Sequence, residues 1–84
     1  MARLFLHLRD GADELLDQEG VELAGLEAVR EKVLSSARHI MAADLLGGVV
    51  DLRYRIDAEN EGGQIVYTLP FKHAFNIIPE PAVP

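Results

Sequence analysis

The hydrophobic pattern of this 84-residue chain spells an α+β fold: a ββαββ order, with a four-stranded, mostly antiparallel sheet and one long helix packed on one face. Three observations carry that reading. Segments near both ends alternate apolar and polar residues with a period of two, as half-buried strands do. Each is followed by a glycine-containing turn and a second extended segment. Between the two hairpins, about 20 residues switch to apolar spacings of three and four, the period of a helix with one buried stripe.

Arg3 to Arg9 reads RLFLHLR, which sends Leu4, Leu6 and Leu8 to one side and Arg3, Phe5, His7 and Arg9 to the other. Asp10-Gly11 tolerates the backbone of a tight turn, and Glu14 to Asp17 returns as the second strand. Asp17 to Leu23 reads as a polar turn and a short extended link. From there the stripe Leu26, Val29, Val33, Ala37, Ile40, Met41 and Leu45 predicts the helix, with Glu27, Arg30, Glu31, Ser35, Arg38 and Ala42 opposite it. Glu27 suits the positive end of the helix dipole, and Gly47-Gly48 stops the helix. At 1.5 Å per residue the rod is about 30 Å long, enough to lie across a whole small sheet.

The second hairpin runs from Arg53 to Glu59, with Tyr54, Ile56 and Ala58 on one side. It turns at Asn60-Glu61-Gly62-Gly63 and returns from Gln64 to Leu69, with Ile65, Tyr67 and Leu69 sharing a face. Pro70 lacks an amide hydrogen and ends that strand, and Phe71 to Ile78 offers a short helical turn. Residues 1–78 therefore form one α+β domain. Three prolines in Pro79 to Pro84 make a solvated, flexible tail.

Composition narrows the class. Hydrophobic residues are 49 % of the chain, but with three Phe, two Tyr and no Trp the core must be aliphatic. The absence of cysteine removes disulfides, thiolate metal sites and thiol nucleophiles, and points to the reducing cytoplasm. Eight Lys and Arg against fourteen Asp and Glu give a net charge of −6, and no basic run exceeds one residue, so nucleic acid is disfavoured. No apolar run approaches the roughly 20 residues of a membrane span, and the first residues lack the apolar core of a signal peptide.

"FLHLRDG" near the start, "DQEGVEL" at Asp17 to Leu23, the long helix and "TLPF" at Thr68 to Phe71 together resemble a family of small alphaproteobacterial proteins known only as a domain of unknown function. The resemblance spans nearly all of the chain except the proline tail, and rests on the order of the motifs rather than on any one of them. It implies a small bacterial cytosolic protein and brings no activity, ligand or catalytic residue with it. Ala24-Gly25 departs from the pattern, because a side chain such as Asp or Ser makes a better N-cap.

No catalytic or metal constellation survives inspection. His7, His39 and His73 lie far apart in sequence without metal-binding spacing, and read as ordinary polar histidines. Asp57, Glu59 and Glu61 followed by Gly62 mimic the start of a calcium loop. The match fails where Gln64 replaces an apolar residue and Thr68 replaces the bidentate Glu. The acids Asp10, Asp13, Glu14, Asp17, Glu19 and Glu22 read as a solvated edge. Ser35 and Ser36 sit mid-helix without elbow glycines, and phosphate-cradling glycine motifs are absent.

What remains is a surface. If Leu4, Leu6 and Leu8 face the helix, then Phe5, His7 and Arg9 share the uncovered sheet face with Arg53 and Arg55 of the second hairpin. These five are the candidate interaction face. On this reading Arg9 and Arg55 are exposed and contribute little to stability, whereas Leu6 packs under the helix. The sequence thus predicts a non-enzymatic protein-interaction or regulatory module with no cofactor and no metal, a homodimer that also engages a protein partner away from membranes. The competing reading is a small anionic-ligand-binding or antitoxin-like domain, an analogy from layout alone.

Overall fold

A computed structural model of the chain describes residues 1–81. The elements follow in the order β1 (Ala2–Arg9), β2 (Glu14–Leu15), β3 (Val21–Leu23), α1 (Leu26–Leu46), β4 (Arg55–Glu59) and β5 (Ile65–Pro70), closed by a 3-10 turn at Phe71–His73. The fold is α+β, one helix on an antiparallel sheet, as the hydrophobic pattern predicts. Among the described residues, no helix is long and apolar enough to cross a membrane.

The sheet runs β2-β1-β4-β5, with β3 also pairing β1. On one side β1 pairs β4 from Phe5 opposite Glu59 to Arg9 opposite Arg55. On its other side β2 covers Leu8 and Arg9, and β3 covers Ala2 to Leu4. Two short strands thus do the work of one, and the link expected at Val21 to Leu23 is a true strand.

The second strand is shorter than expected because Asp17 folds the chain back. Its Oδ1 accepts hydrogen bonds from the backbone N–H groups of Glu19 and Gly20, both at 3.1 Å. Its Oδ2 accepts from the N–H of Leu6 at 3.2 Å, in the gap between β2 and β3. A side chain therefore satisfies the strand amide that no backbone reaches. Burial alone would push the Asp17 carboxyl up, but these three N–H groups hold it below the ordinary range.

The strand β4 begins at Arg55, not Arg53. Asp51 Oδ1 accepts from the Arg53 N–H at 2.9 Å, and this local turn keeps Leu52 and Arg53 out of the ladder. The return turn is organised in the same way by Asn60, whose Oδ1 accepts from Gly62 and Gln64.

The helix starts where its stripe starts. Gly25 stands at the N-cap with φ +88° and no side-chain cap, so the poor cap expected from Ala24-Gly25 leaves the boundary unchanged. Val29, Val33, Ala37 and Met41, spaced by four, are buried against Leu4, Ile56, Ala58 and Leu69 of the sheet, with Phe71 and Ala74 closing the core. The helix lies principally over β4 and β5. Leu6 and Leu8 consequently remain only half-buried, and the two ends of the apolar stripe, Leu26 and Leu45, are exposed. Of the short helical turn expected over Phe71 to Ile78, only Phe71–His73 is helical. Pro79 to Pro81 are exposed, and the rest of the expected tail lies outside the described residues.

The loop between β2 and β3 packs closely on β1 at Gly20. A Cβ there would lie 2.9 Å from the Leu4 carbonyl oxygen and 2.9 Å from the Phe5 ring, at a φ of +74°. Gly63 shares the positive φ but has nothing within 4 Å of its Cβ position. Gly20→Ala is therefore expected to lower stability in urea by about 2–3 kcal/mol and Gly63→Ala by only about 1 kcal/mol. Equal losses would show that the loop does not press on β1.

Candidate functional site

Two surfaces are the candidates: the sheet face away from the helix, and the C-terminal end of the helix. On the sheet face the antiparallel register sets Arg9 opposite Arg55, His7 opposite Asp57 and Phe5 opposite Glu59, with Thr68 of β5 opposite Asp57. Two arginines directly opposed across a ladder repel. Asp57, diagonal to Arg9 and two residues from Arg55, resolves the conflict.

Its geometry is dense. Asp57 is 1 % exposed. Its Oδ2 accepts from the Arg9 guanidinium at 2.9 Å and from Arg55 Nε at 3.2 Å, and its Oδ1 accepts from Thr68 Oγ1 at 2.8 Å. Arg9 also donates to Glu59 at 2.7 Å and to Glu14 at 2.8 Å. Hydrogen bonds to Glu14, then Asp57 and Glu59, push the Arg9 guanidinium above its ordinary range, so it stays charged at every relevant pH. Burial acts to raise the Asp57 carboxyl, but the bonds from Arg9 and Thr68 and the charge of Arg55 outweigh it and hold the group low.

His7 is fixed from both sides. The Asp17 N–H donates to its Nδ1 at 3.0 Å, so that nitrogen carries no proton, and the ring proton sits on Nε2, 3.7 Å from Glu59 Oε1. The Phe5 ring stacks on the imidazole with centroids 6.3 Å apart and planes 11° from parallel.

Four of the five residues expected on this face are there: Phe5, His7, Arg9 and Arg55. Arg53 is not. It lies in the turn before β4, its guanidinium bound to Asp51 at 2.8 and 3.0 Å, and these bonds draw the Asp51 carboxyl down to about 2. The expectation that Arg9 and Arg55 are dispensable for stability also fails, because both guanidinium groups partner a buried carboxylate. The sequence reading missed Asp57, Glu59 and Thr68 as members of this face. The alternation that turns Ile56 and Ala58 inward also turns Arg55, Asp57 and Glu59 outward, and this was the available signal.

The face is thus a self-satisfied ion network rather than an open cationic surface. Arg3 follows the same rule, donating to Glu22 at 3.2 Å and to the Glu19 carbonyl at 2.7 Å.

At the far end of the helix the chemistry is the reverse. A groove of about 500 Å³ is lined by Met41, Ala42, Leu45, Val50, Leu52, Phe75 and Ile77, with Arg38 on its rim. Arg38 Nε donates to the Ala74 carbonyl at 2.8 Å, which anchors the guanidinium. Among the described residues no carboxylate lies within 4 Å of it. Leu45, Leu46, Val49, Leu52, Ile77 and Ile78 are all exposed. The signal for this surface was the apolar run around Gly47-Gly48, which is longer than a helix stop requires.

A second cleft of about 480 Å³ separates the helix from β5. It is lined by Glu27, Arg30, Glu31, Leu34, Tyr67, Leu69 and His73, with the Arg30 guanidinium 5.9 Å from the Tyr67 ring centroid. The histidines do not converge: His7 lies on the sheet face, His73 in this cleft, and His39 bonds within its own helix to Ser35. Among the described residues no three His, Asp or Glu side chains are grouped to hold a metal ion.

Residues 3–72 match the family model described as "Domain of unknown function (DUF6894)". None of the curated proteins and none of the solved structures matches the chain.

The network makes stability pH-dependent. A carboxyl held low in the folded state contributes stability that is complete above its ordinary value near 4 and is lost as the pH falls through the folded value. The urea midpoint should therefore drop as the pH is lowered from about 4 to 2. Asp57→Asn should lower stability at neutral pH by about 2–3 kcal/mol, since it leaves two guanidinium groups without their shared partner, and should flatten that acid slope. An unchanged slope in the variant would show that Asp57 does not drive it.

Proposed function

The chain belongs to the family of this domain of unknown function, DUF6894, and on that premise we propose that it is a non-enzymatic protein-interaction module whose contact surface is the apolar end of the helix rather than the arginine-bearing sheet face. One observation carries this reading: the groove between Met41, Leu45, Val50, Leu52, Phe75 and Ile77 is apolar and uncovered, while the polar groups of the sheet face are already partnered within the chain. Exposed apolar surface of this extent marks contact sites on small domains. The absence of cysteine favours a reducing setting, the bacterial cytoplasm.

The competing reading, an anion held by His7, Arg9 and Arg55, is weakened by the same geometry. A ligand there would have to displace Asp57 and Glu59 from Arg9, losing charge-assisted bonds of 2.9 and 2.7 Å in order to form its own.

The two surfaces separate in a capture experiment from the native host. With wild type as reference, Leu52→Glu at the groove is expected to lose the captured partner, whereas Arg3→Gln and Arg55→Gln on the sheet face, each shown by circular dichroism to be folded, are expected to retain it. Loss with the arginine variants and retention with Leu52→Glu would move the contact to the sheet face. Retention by all three would end the proposal. A panel of anionic metabolites is expected to leave the melting temperature unchanged, and specific stabilisation by one of them would favour the competing reading.

A further inference from the structure

We infer that the occupant of the groove is a second copy of this chain, paired about a two-fold axis so that Ile78 of each copy enters the groove of the other. The inference rests on the reading of the apolar end as a contact surface and names its partner.

Area is the first argument. Leu45 and Val49 are 67 % and 74 % exposed, Ile77 is 74 %, and Leu46 and Ile78 are 92 % and 93 %. With Leu52, these residues present on the order of 800 Å² to solvent, about one partner's share of a standard-size interface. Leu45, Leu52 and Ile77 line the groove, and Leu46, Val49 and Ile78 adjoin its lining in sequence, so large exposed apolar residues gather around it. Shape agrees. The Cα radius of gyration is 14.7 Å, against about 12 Å for a compact chain of this length, and the molecule measures 55 × 27 × 20 Å. Leu45 and Leu46 at the end of α1, and Ile77 and Ile78 after Ala74, are exposed among the described residues.

Self-complementarity is the second argument. A two-fold interface needs the same patch to supply both a concave and a convex part. This end has both: the groove lined by Met41, Val50 and Phe75, and Ile78, which is 93 % exposed among the described residues.

Charge is the third. Two copies at −6 each repel over most of their surface, but among the described residues no carboxylate lines the groove and Arg38 is the one charged residue that does. The end of the helix is where like chains can approach.

Light scattering on the full chain tests this. Wild type at hundreds of micromolar is expected at twice the mass of one chain. Ile78→Glu and Leu45→Glu, each at an exposed position, are expected to weaken the dimer by about tenfold or more while leaving the circular dichroism spectrum unchanged. Leu15→Glu, an exposed change on β2 away from the groove, should leave the dimer intact. A monomeric wild type would overturn the inference, as would a dimer that withstands both groove variants or one that breaks with Leu15→Glu. A monomer that still captures a different protein through Leu52 would overturn the second copy alone. Failure of both measurements would overturn the contact surface itself.

Discussion

A sheet covered by one helix has a second face that no hydrophobic layer can bury, and in this protein that face is held together by the carboxylate of Asp57. It sits at the middle of the sheet between β1 and β5, where neighbouring strands shut out water even though no layer lies above it. An unpaired charge there would be prohibitive. Arg9, Arg55 and Thr68 each give it a hydrogen bond from a different part of the sheet, so one anion fixes the relative register of three strands. A slip of one residue would reverse every side chain and set Asp57 against the core. The hydrophobic stripe of the helix and the polar network of the opposite face therefore specify the same alignment from two sides.

The two faces also explain why the molecule is finished at one place and unfinished at another. On the sheet face every arginine is partnered by a carboxylate, and His7 is held by a backbone N–H on one nitrogen. At the C-terminal end of α1, the stripe continues beyond the strands it covers, and Leu45, Val50 and Leu52 face a groove instead of a core. The helix is longer than the part of the sheet beneath it. Its excess length leaves Leu45 and Leu46 exposed at the end of the apolar stripe.

Most of the architecture was legible in the sequence, for a reason that can be stated residue by residue. Leu4, Ile56, Ala58 and Leu69 alternate with polar neighbours, and Val29, Val33, Ala37 and Met41 recur every four residues, so burial and period point to the same elements. Two departures arise where a side chain competes with the backbone for hydrogen bonds. Asp17 cuts β2 short and Asp51 delays β4, and in both cases the deciding bond is to an N–H two residues on. The strand β3 was hidden because only three residues of it pair. The face residues Phe5, His7, Arg9 and Arg55 were found from alternation, but their mutual neutralisation was not, since which charges meet depends on the register between strands distant in sequence. The groove was missed because the apolar run around Gly47-Gly48 does not by itself show that Leu45 is exposed, which depends on how far the sheet extends.

The divided partner of β1 has a dynamic consequence. The segment from Glu14 to Leu23 contributes no residue to the fully buried core and is tied down by short ladders, the carboxylate of Asp17 and the close approach at Gly20. Such a segment can open as a unit at a free energy well below that of global unfolding, and the amide of Leu6 would then exchange with solvent long before those of β4. When it opens, β1 presents a bare edge flanked by an intact sheet, the geometry that accepts an added strand. Asp17 is in that sense a latch, a side chain that closes a gap in the edge of β1.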